Sequence, residues 1–196
     1  MMFEDVAFAR SEFYERADRR LFCPKYAEYV RTHRLDVDRI TGFAGVSSVL
    51  PVLDCGKGRF DFVGHGEPVE AFVLEVLDFD GETHLDIAAW PLCDPGRVLT
   101  MFGRAPLIGM WAALNPATYY MGKALVMHRT PLEWLMSGCS GAAVLVPRLA
   151  ARQLIDLPGP LAARDHRHGL QLRKLMLSVV ETDRIVLAGE RDASAA

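Results

Sequence analysis

Residues 70–89 constrain this chain most, because two apolar-rich runs meet at Asp80-Gly81. Asp-Gly between strand-like runs is a two-residue hairpin signal, since both turn positions need a backbone that Asp and Gly tolerate. That turn predicts Phe79 opposite Glu82, Leu77 opposite His84 and Glu75 opposite Asp86. One face would carry Phe72, Leu74, Val76, Leu85, Ile87 and Ala89, and the other Glu75, Leu77, Phe79, Glu82, His84 and Asp86. A one-residue slip would invert the faces and bury the carboxylates, so the apolar face is expected to be the core face.

Around the hairpin, residues 3–22 read as helical, with Phe3, Val6, Ala7, Phe13, Ala17 and Leu21 as inward positions. Tyr26, Tyr29, Val30 and His33 fall on one face of a second helix after Pro24. Residues 46–53 read as a strand whose Pro51 suggests an edge or a bulge, Gly56-Lys57-Gly58 as a turn and 59–63 as a short strand. Asp94-Pro95 suggests a short helix ending near Gly103. Residues 106–114 fit either a helix or a buried strand, and 124–128 a strand. Thr130-Pro131-Leu132-Glu133 is a capping box, opening a helix that Gly138 closes. A strand at 142–146, a helix from Pro147 to about Ile155, a rigid connector at 157–160, a helix at 165–179 and a strand at 184–188 follow. Strands alternating with helices over short connections suggest parallel pairing. The expected fold class is α+β: N-terminal helices (1–40) on a β-meander or hairpin sheet (43–92), with an α/β C-terminal half (94–190). These form one domain over 1–192, with 193–196 as a frayed tail.

Composition excludes several functions. With 196 residues the chain can bury a core without a metal or a disulfide to hold it. A formal charge of −3 argues against a protein that coats nucleic acid non-specifically. Cys23, Cys55, Cys93 and Cys139 lie far apart with no C-x-x-C, which removes a zinc ribbon and suggests reduced thiols. The N-terminal segment carries acids and no apolar h-region, so it does not read as a signal peptide. The most apolar stretch is interrupted by Asn115, Pro116 and Lys123, so no membrane association is expected and the location is expected to be cytoplasmic.

Few residues carry a chemical signature. Gly138-Cys139-Ser140-Gly141 lies in helix-to-strand order, the reverse of a nucleophile elbow, and reads as a helix C-cap. Gly56-Lys57-Gly58 lacks the spacing and following helix of a phosphate loop. His166 and His168 point to different helix faces, behind Asp165 as N-cap. Opposed carboxylates destabilise a sheet unless something compensates. Glu75, Asp86 and His84 are therefore candidates for an acid–base pair or a divalent-metal site. His128 and Arg129, ending a strand ahead of a helix, are candidates for anion binding or catalysis. No cofactor fingerprint is present.

Residues 124–129, the capped helix to Gly138, the strand to Val146 and the segment Ile185 to Asp192 resemble the element order of a Toprim nucleotidyl-transfer core. That family carries an acid after its first strand and Asp-x-Asp after a later one. Here His128-Arg129 take the first position and Glu190-x-Asp192 the second. The resemblance is confined to this part of the chain. It implies a degenerate, non-catalytic domain associated with nucleic acid, and it does not assign the chain to the family.

Three functions follow as expectations. The first is a non-enzymatic protein-interaction or regulatory domain, binding a protein partner or a second copy through the aromatic and apolar surplus at 105–121. The second is a metal-dependent hydrolase or phosphotransfer enzyme using Glu75, His84, Asp86, His128 and Arg129. The third, not favoured, is a nucleic-acid accessory protein using the arginines between Arg16 and Arg39, whose interleaved acids read as a solvated face.

Overall fold

Spacing of small and aromatic residues sets the first helix. Ala9, Phe13 and Ala17 recur every four residues and are all buried, so α1 (Phe3–Asp18) presents one apolar stripe inward. Arg16 and Arg19 pair with Glu12 and Glu15 one turn back on its outer side. These assignments come from a computed structural model that describes residues 3–19 and 23–179. The expected strand at 184–188, the pair Glu190-x-Asp192 and the helix positions 20–22 lie outside the described residues.

Helix α2 (Pro24–His33) starts on proline and ends at Arg34 in the left-handed conformation. Helix α3 (Val37–Ala44) is absent from the sequence reading, although Asp36 caps it by accepting from the Arg39 N–H. Ile40 and Ala44 on its inner face are buried.

Five strands follow and close into a barrel: β1 (Ser47–Gly56), β2 (Arg59–Asp61), β3 (Val69–Leu77), β4 (His84–Pro91) and β5 (Leu99–Thr100), in the order β1-β2-β5-β4-β3. Every pairing is antiparallel except β2 with β5, whose contact closes the ring. Pro51 pairs with Glu70 of β3, at a point where β1 has not yet met β2 on its other side, so its missing N–H costs no ladder bond. Asp94-Pro95 forms a turn rather than the expected helix, because the chain must extend at Leu99 and Thr100 to close the barrel.

One face of all five strands forms the barrel interior, with Leu50, Val52, Phe60, Ala71, Val73, Ile87, Ala89 and Leu99 packed against Phe13 and Ala17 of α1. Helix α1 therefore plugs one end, with Phe13 stacked on Phe62 at 6.1 Å. The outer face of β3 and β4, with Phe72, Leu74, Val76, Ala88 and Trp90, is buried against α2, α3 and the second half of the chain. Both faces of the hairpin are thus covered, and the expected polar, solvated strip does not exist.

Register explains the difference. Leu77 faces His84 as the sequence indicates, but Leu85 bulges out of β4. Beyond it Val76 faces Asp86 and Glu75 faces Ile87. An inserted residue reverses the side on which all later side chains lie. Glu75 therefore points with Val73 to the barrel's inner side, and Asp86 with Val76 to the outer side. The turn is also wider than two residues. It is closed by the Asp78 N–H donating to the Thr83 carbonyl at 2.8 Å, with the Asp80 side chain accepting from Glu82 and Thr83.

Residues 106–114 resolve into both options, β6 (Leu107–Ile108) and α4 (Met110–Leu114), hinged at Gly109 with φ +84°. After a 3-10 segment come β7 (Leu125–His128), α5 (Pro131–Met136), β8 (Ala142–Val144), α6 (Pro147–Ile155), β9 (Leu161–Ala162) and α7 (His166–Leu177). The sheet order is β6-β8-β7-β9, with β7 parallel to both neighbours. Strand β9 lies just past the connector read at 157–160, in residues to which the sequence reading gave no element. Its two residues are too few to leave a periodic pattern.

Gly141, with φ +79°, lets the chain enter β8 against β7, and a Cβ there would run into the Val126 carbonyl oxygen. Gly141→Ala is expected to destabilise the protein by at least about 2 kcal/mol, from strain and forced separation of the two strands. Urea unfolding measures this, and a loss below about 0.5 kcal/mol would show that β7 and β8 do not need the close approach.

Candidate functional site

Glu75 is 1 % exposed yet fully engaged. Arg10 Nε donates to its Oε1 at 3.0 Å, while the Tyr14 hydroxyl and the Val46 N–H donate to Oε2 at 3.0 and 2.9 Å. His84 Nδ1 lies 3.0 Å from Oε1. Gly45 makes room for the carboxylate, since a Cβ there would collide with Oε2. Burial pushes the His84 pKa down, and Arg10 adds to this against the pull of Glu75 and Asp80. Burial also pushes the Tyr14 phenol up. The cluster ties α1 to the mouth of the barrel that it plugs.

Asp86 is 2 % exposed. Its Oδ1 accepts from the N–H groups of Ile87 and Phe102 at 2.9 and 2.8 Å, and its Oδ2 from those of Arg104 and Ala105 at 2.7 and 3.4 Å. Three of these donors, Phe102, Arg104 and Ala105, hold the segment leaving β5 against the wall of β4. Glu75 and Asp86 sit on opposite faces of one hairpin, so they neither repel across a pair nor share an ion. The joint metal or acid–base site expected of them does not form, because the bulge at Leu85 puts them on opposite sides of the ribbon. No group of three or more His, Cys, Asp or Glu among the described residues is placed to hold a metal ion.

His128 and Arg129 stand at the carboxyl end of β7. His128 Nε2 donates to the Ser140 carbonyl at 2.8 Å, because a carbonyl can only accept, which leaves Nδ1 as the acceptor of the neutral ring. The capping box read from sequence is present. Thr130 accepts from the Glu133 N–H, and Glu133 reaches back to the Arg129 N–H at 3.1 Å. Its carboxylate occupies the start of α5, so that helix end is not the anion site envisaged. The Arg129 side chain instead pairs with Asp165, the N-cap of α7. His168 Nδ1 accepts from the Arg164 N–H, and burial together with Arg129 pushes its pKa down.

Two cavities meet at Arg129, Val144 and Pro147. One, of about 370 Å³, is lined by His128, His168, Gln171, Leu172 and Leu175 besides these three. The other, of about 720 Å³, runs from them to Lys57, Arg59 and Thr100 on the barrel. A third cavity, of about 660 Å³, lies between α1, α3 and β1, where Tyr14 and Val46, both partners of Glu75, line it. It shares no lining residue with the other two. The structure therefore divides the five sequence candidates: Glu75 and His84 together at the barrel mouth, Asp86 in the wall, His128 and Arg129 at the groove.

Lys57 was read from sequence only as part of a turn and His168 only as one of two histidines on different helix faces, and Arg59 carried no functional signal. Lys57 lies in a turn, as read, but that turn projects beside β8, a proximity no local pattern encodes. Cys139 sits in the left-handed region at φ +61°, and burial pushes its thiol up to about 12, which fits the helix-cap reading over a nucleophile. No family model, curated protein or solved structure matches the chain. No helix among the described residues is long and apolar enough to cross a membrane.

Asp86→Asn is expected to cost about 3 kcal/mol, close to Asp86→Ala, because the amide NH₂ would face two N–H donors where an oxygen stood. Equilibrium unfolding of the two variants tests this, and a near-neutral Asn variant would show that the four bonds are not the reason Asp is there. A second outcome concerns pH. His84 and His168 both titrate below their ordinary value of 6.5 when folded, so the unfolded chain binds protons more readily. Stability is complete above that value and drains as pH falls from it toward the lowered folded values. The melting temperature is expected to drop as pH falls below about 6.5, and the slope to flatten in His168→Gln. An unchanged slope in that variant would remove His168 from the account.

Proposed function

We propose that this protein is a non-catalytic ligand-binding or regulatory domain whose ligand seats in the groove around Arg129. The observation that carries this reading is the groove's position. It opens at the carboxyl ends of parallel strands β7 and β8, where α/β sheets leave a crevice for ligands. Its larger part, about 720 Å³, falls in the range of small-molecule sites. The non-catalytic part of the reading rests on the buried acids. Glu75 and Asp86 spend their oxygens on Arg10, Tyr14 and backbone donors, leaving none to abstract a substrate proton. Three of the N-terminal arginines, Arg16, Arg19 and Arg39, pair with acids one turn away, which weakens a nucleic-acid reading.

A second reading, contact with a protein partner or a second copy, draws support from one place. Tyr120 and Met121 are 68 % and 84 % exposed side by side, and Met121 is held in the left-handed region at φ +57°. Light scattering distinguishes the readings. A dimer that dissociates on Tyr120→Ser with Met121→Ser would support the partner surface.

For the groove, NMR chemical-shift mapping with a library of small fragments is the direct test. Binding fragments are expected to move the amides of residues 56–59 and 144–149 and to leave 45–48 still. Mg²⁺ and Mn²⁺ are expected to leave the melting temperature unchanged, since a ligand of the folded state would raise it by mass action. Fragments clustering at residues 45–48 instead would move the site to the cavity beside α1 and end this reading.

A further inference from the structure

Resting on the ligand-binding reading, we infer that the groove takes a phosphorylated small molecule, with its phosphate held among Lys57, Arg59 and Arg129. Three cations from two distant parts of the chain line the 720 Å³ cavity: Lys57 and Arg59 from the β1–β2 hairpin, and Arg129 from the end of β7. No carboxylate is among its described lining residues. Asp54 pairs with Arg97, and Asp165 pairs with Arg129, which shares its charge with that carboxylate. Arg59 is fixed in place by donating from Nε to the Met101 carbonyl at 2.9 Å, and Gly103 leaves space for its Nη1. A local convergence of positive charge in a molecule of net charge −3 selects anions by field as well as by contact.

The rest of the lining argues for an organic phosphate. Val98, Val144 and Leu145 border the cationic end. Past Arg129 the groove continues to Leu172, Leu175, His128 and His168. His128 presents an acceptor nitrogen and His168 a donor one, given the bonds each already makes. An apolar body bearing a few hydrogen-bonding groups and one terminal phosphate matches that sequence of surfaces. The start of α6 adds to the cationic end, because Val146 provides no side-chain cap and Val146 and Pro147 line the cavity. Nucleic acid fits less well, because a strand needs cations repeating along its backbone and here the three share one cavity.

Isothermal titration of the full chain tests this with four probes: adenosine 5′-monophosphate, adenosine, inorganic pyrophosphate and a single-stranded oligonucleotide. The monophosphate and pyrophosphate are expected to bind saturably, with adenosine weaker by at least about tenfold. Lys57→Ala and Arg129→Gln should each weaken the monophosphate by about tenfold at unchanged circular dichroism, while Arg39→Gln, outside the groove, should not. Equal binding of adenosine and its monophosphate would overturn the phosphate inference and leave the groove reading standing. Binding that survives Lys57→Ala and Arg129→Gln together would place the anion elsewhere and overturn it. Tighter binding of the oligonucleotide than of the monophosphate would overturn it in favour of a nucleic-acid partner. If no phosphate probe binds, the inference falls, and fragment mapping then decides separately: shifts at residues 144–149 keep the groove reading, and their absence ends it.

Discussion

The carboxylate of Asp86 joins the two halves of this fold. Residues 102–105 carry the chain out of the barrel and into the α/β sheet, and three of their N–H groups donate to Asp86, together with that of Ile87. Burying a carboxylate costs several kcal/mol unless its lone pairs are met. Here both oxygens are met by fixed backbone dipoles rather than by a mobile cation, so the same bonds that offset the burial also set the path of the exit segment. Arg59 holds that segment from the other side through Met101. Where β6 begins, and so where β8 and β7 come to lie, follows from this pin.

Glu75 makes the complementary attachment at the N-terminal side. Helix α1 contributes Phe13 and Ala17 to the barrel interior, a dispersive and directionless contribution. Arg10 and Tyr14, one helical turn apart, give it direction by reaching the same carboxylate. The two acids of the hairpin thus attach different structures to opposite faces of one β-ribbon. Their separation depends on one inserted residue, Leu85, without which both would lie on the same side.

That residue also marks where sequence reading stopped. Several caps and helix starts were legible because their chemistry spans three or four positions: Thr130 with Glu133, Asp165 with His168, Pro24 and Pro147 at helix starts. The pairing of Leu77 with His84 was legible because it lies between the turn and the bulge. Glu75 opposite Asp86 was not, because a bulge leaves no signature in the alternation of residues and shows only in the partner strand. Closure of the barrel was hidden for a related reason. It rests on β2 meeting β5 through Arg59 and Thr100, 41 positions apart along the numbering, with β5 too short to display a period.

The groove shows the same division between local and distant order. Arg129 was visible as a cation at a strand end, and its neighbours Val144 and Pro147 were placed correctly on the next strand and helix. Lys57 and Arg59 could not be joined to them from sequence, since only the pinned exit segment brings the barrel rim beside β8. Its electrostatics depend on that assembly too. Lys57 and Arg59 alone would be two ordinary surface charges, screened over about 8 Å at physiological salt. In the fold they line one cavity with Arg129, beside the ion pairs Asp54–Arg97 and Arg129–Asp165. The fold itself therefore decides which charges line the groove together, and the anion site inferred above rests on that assembly.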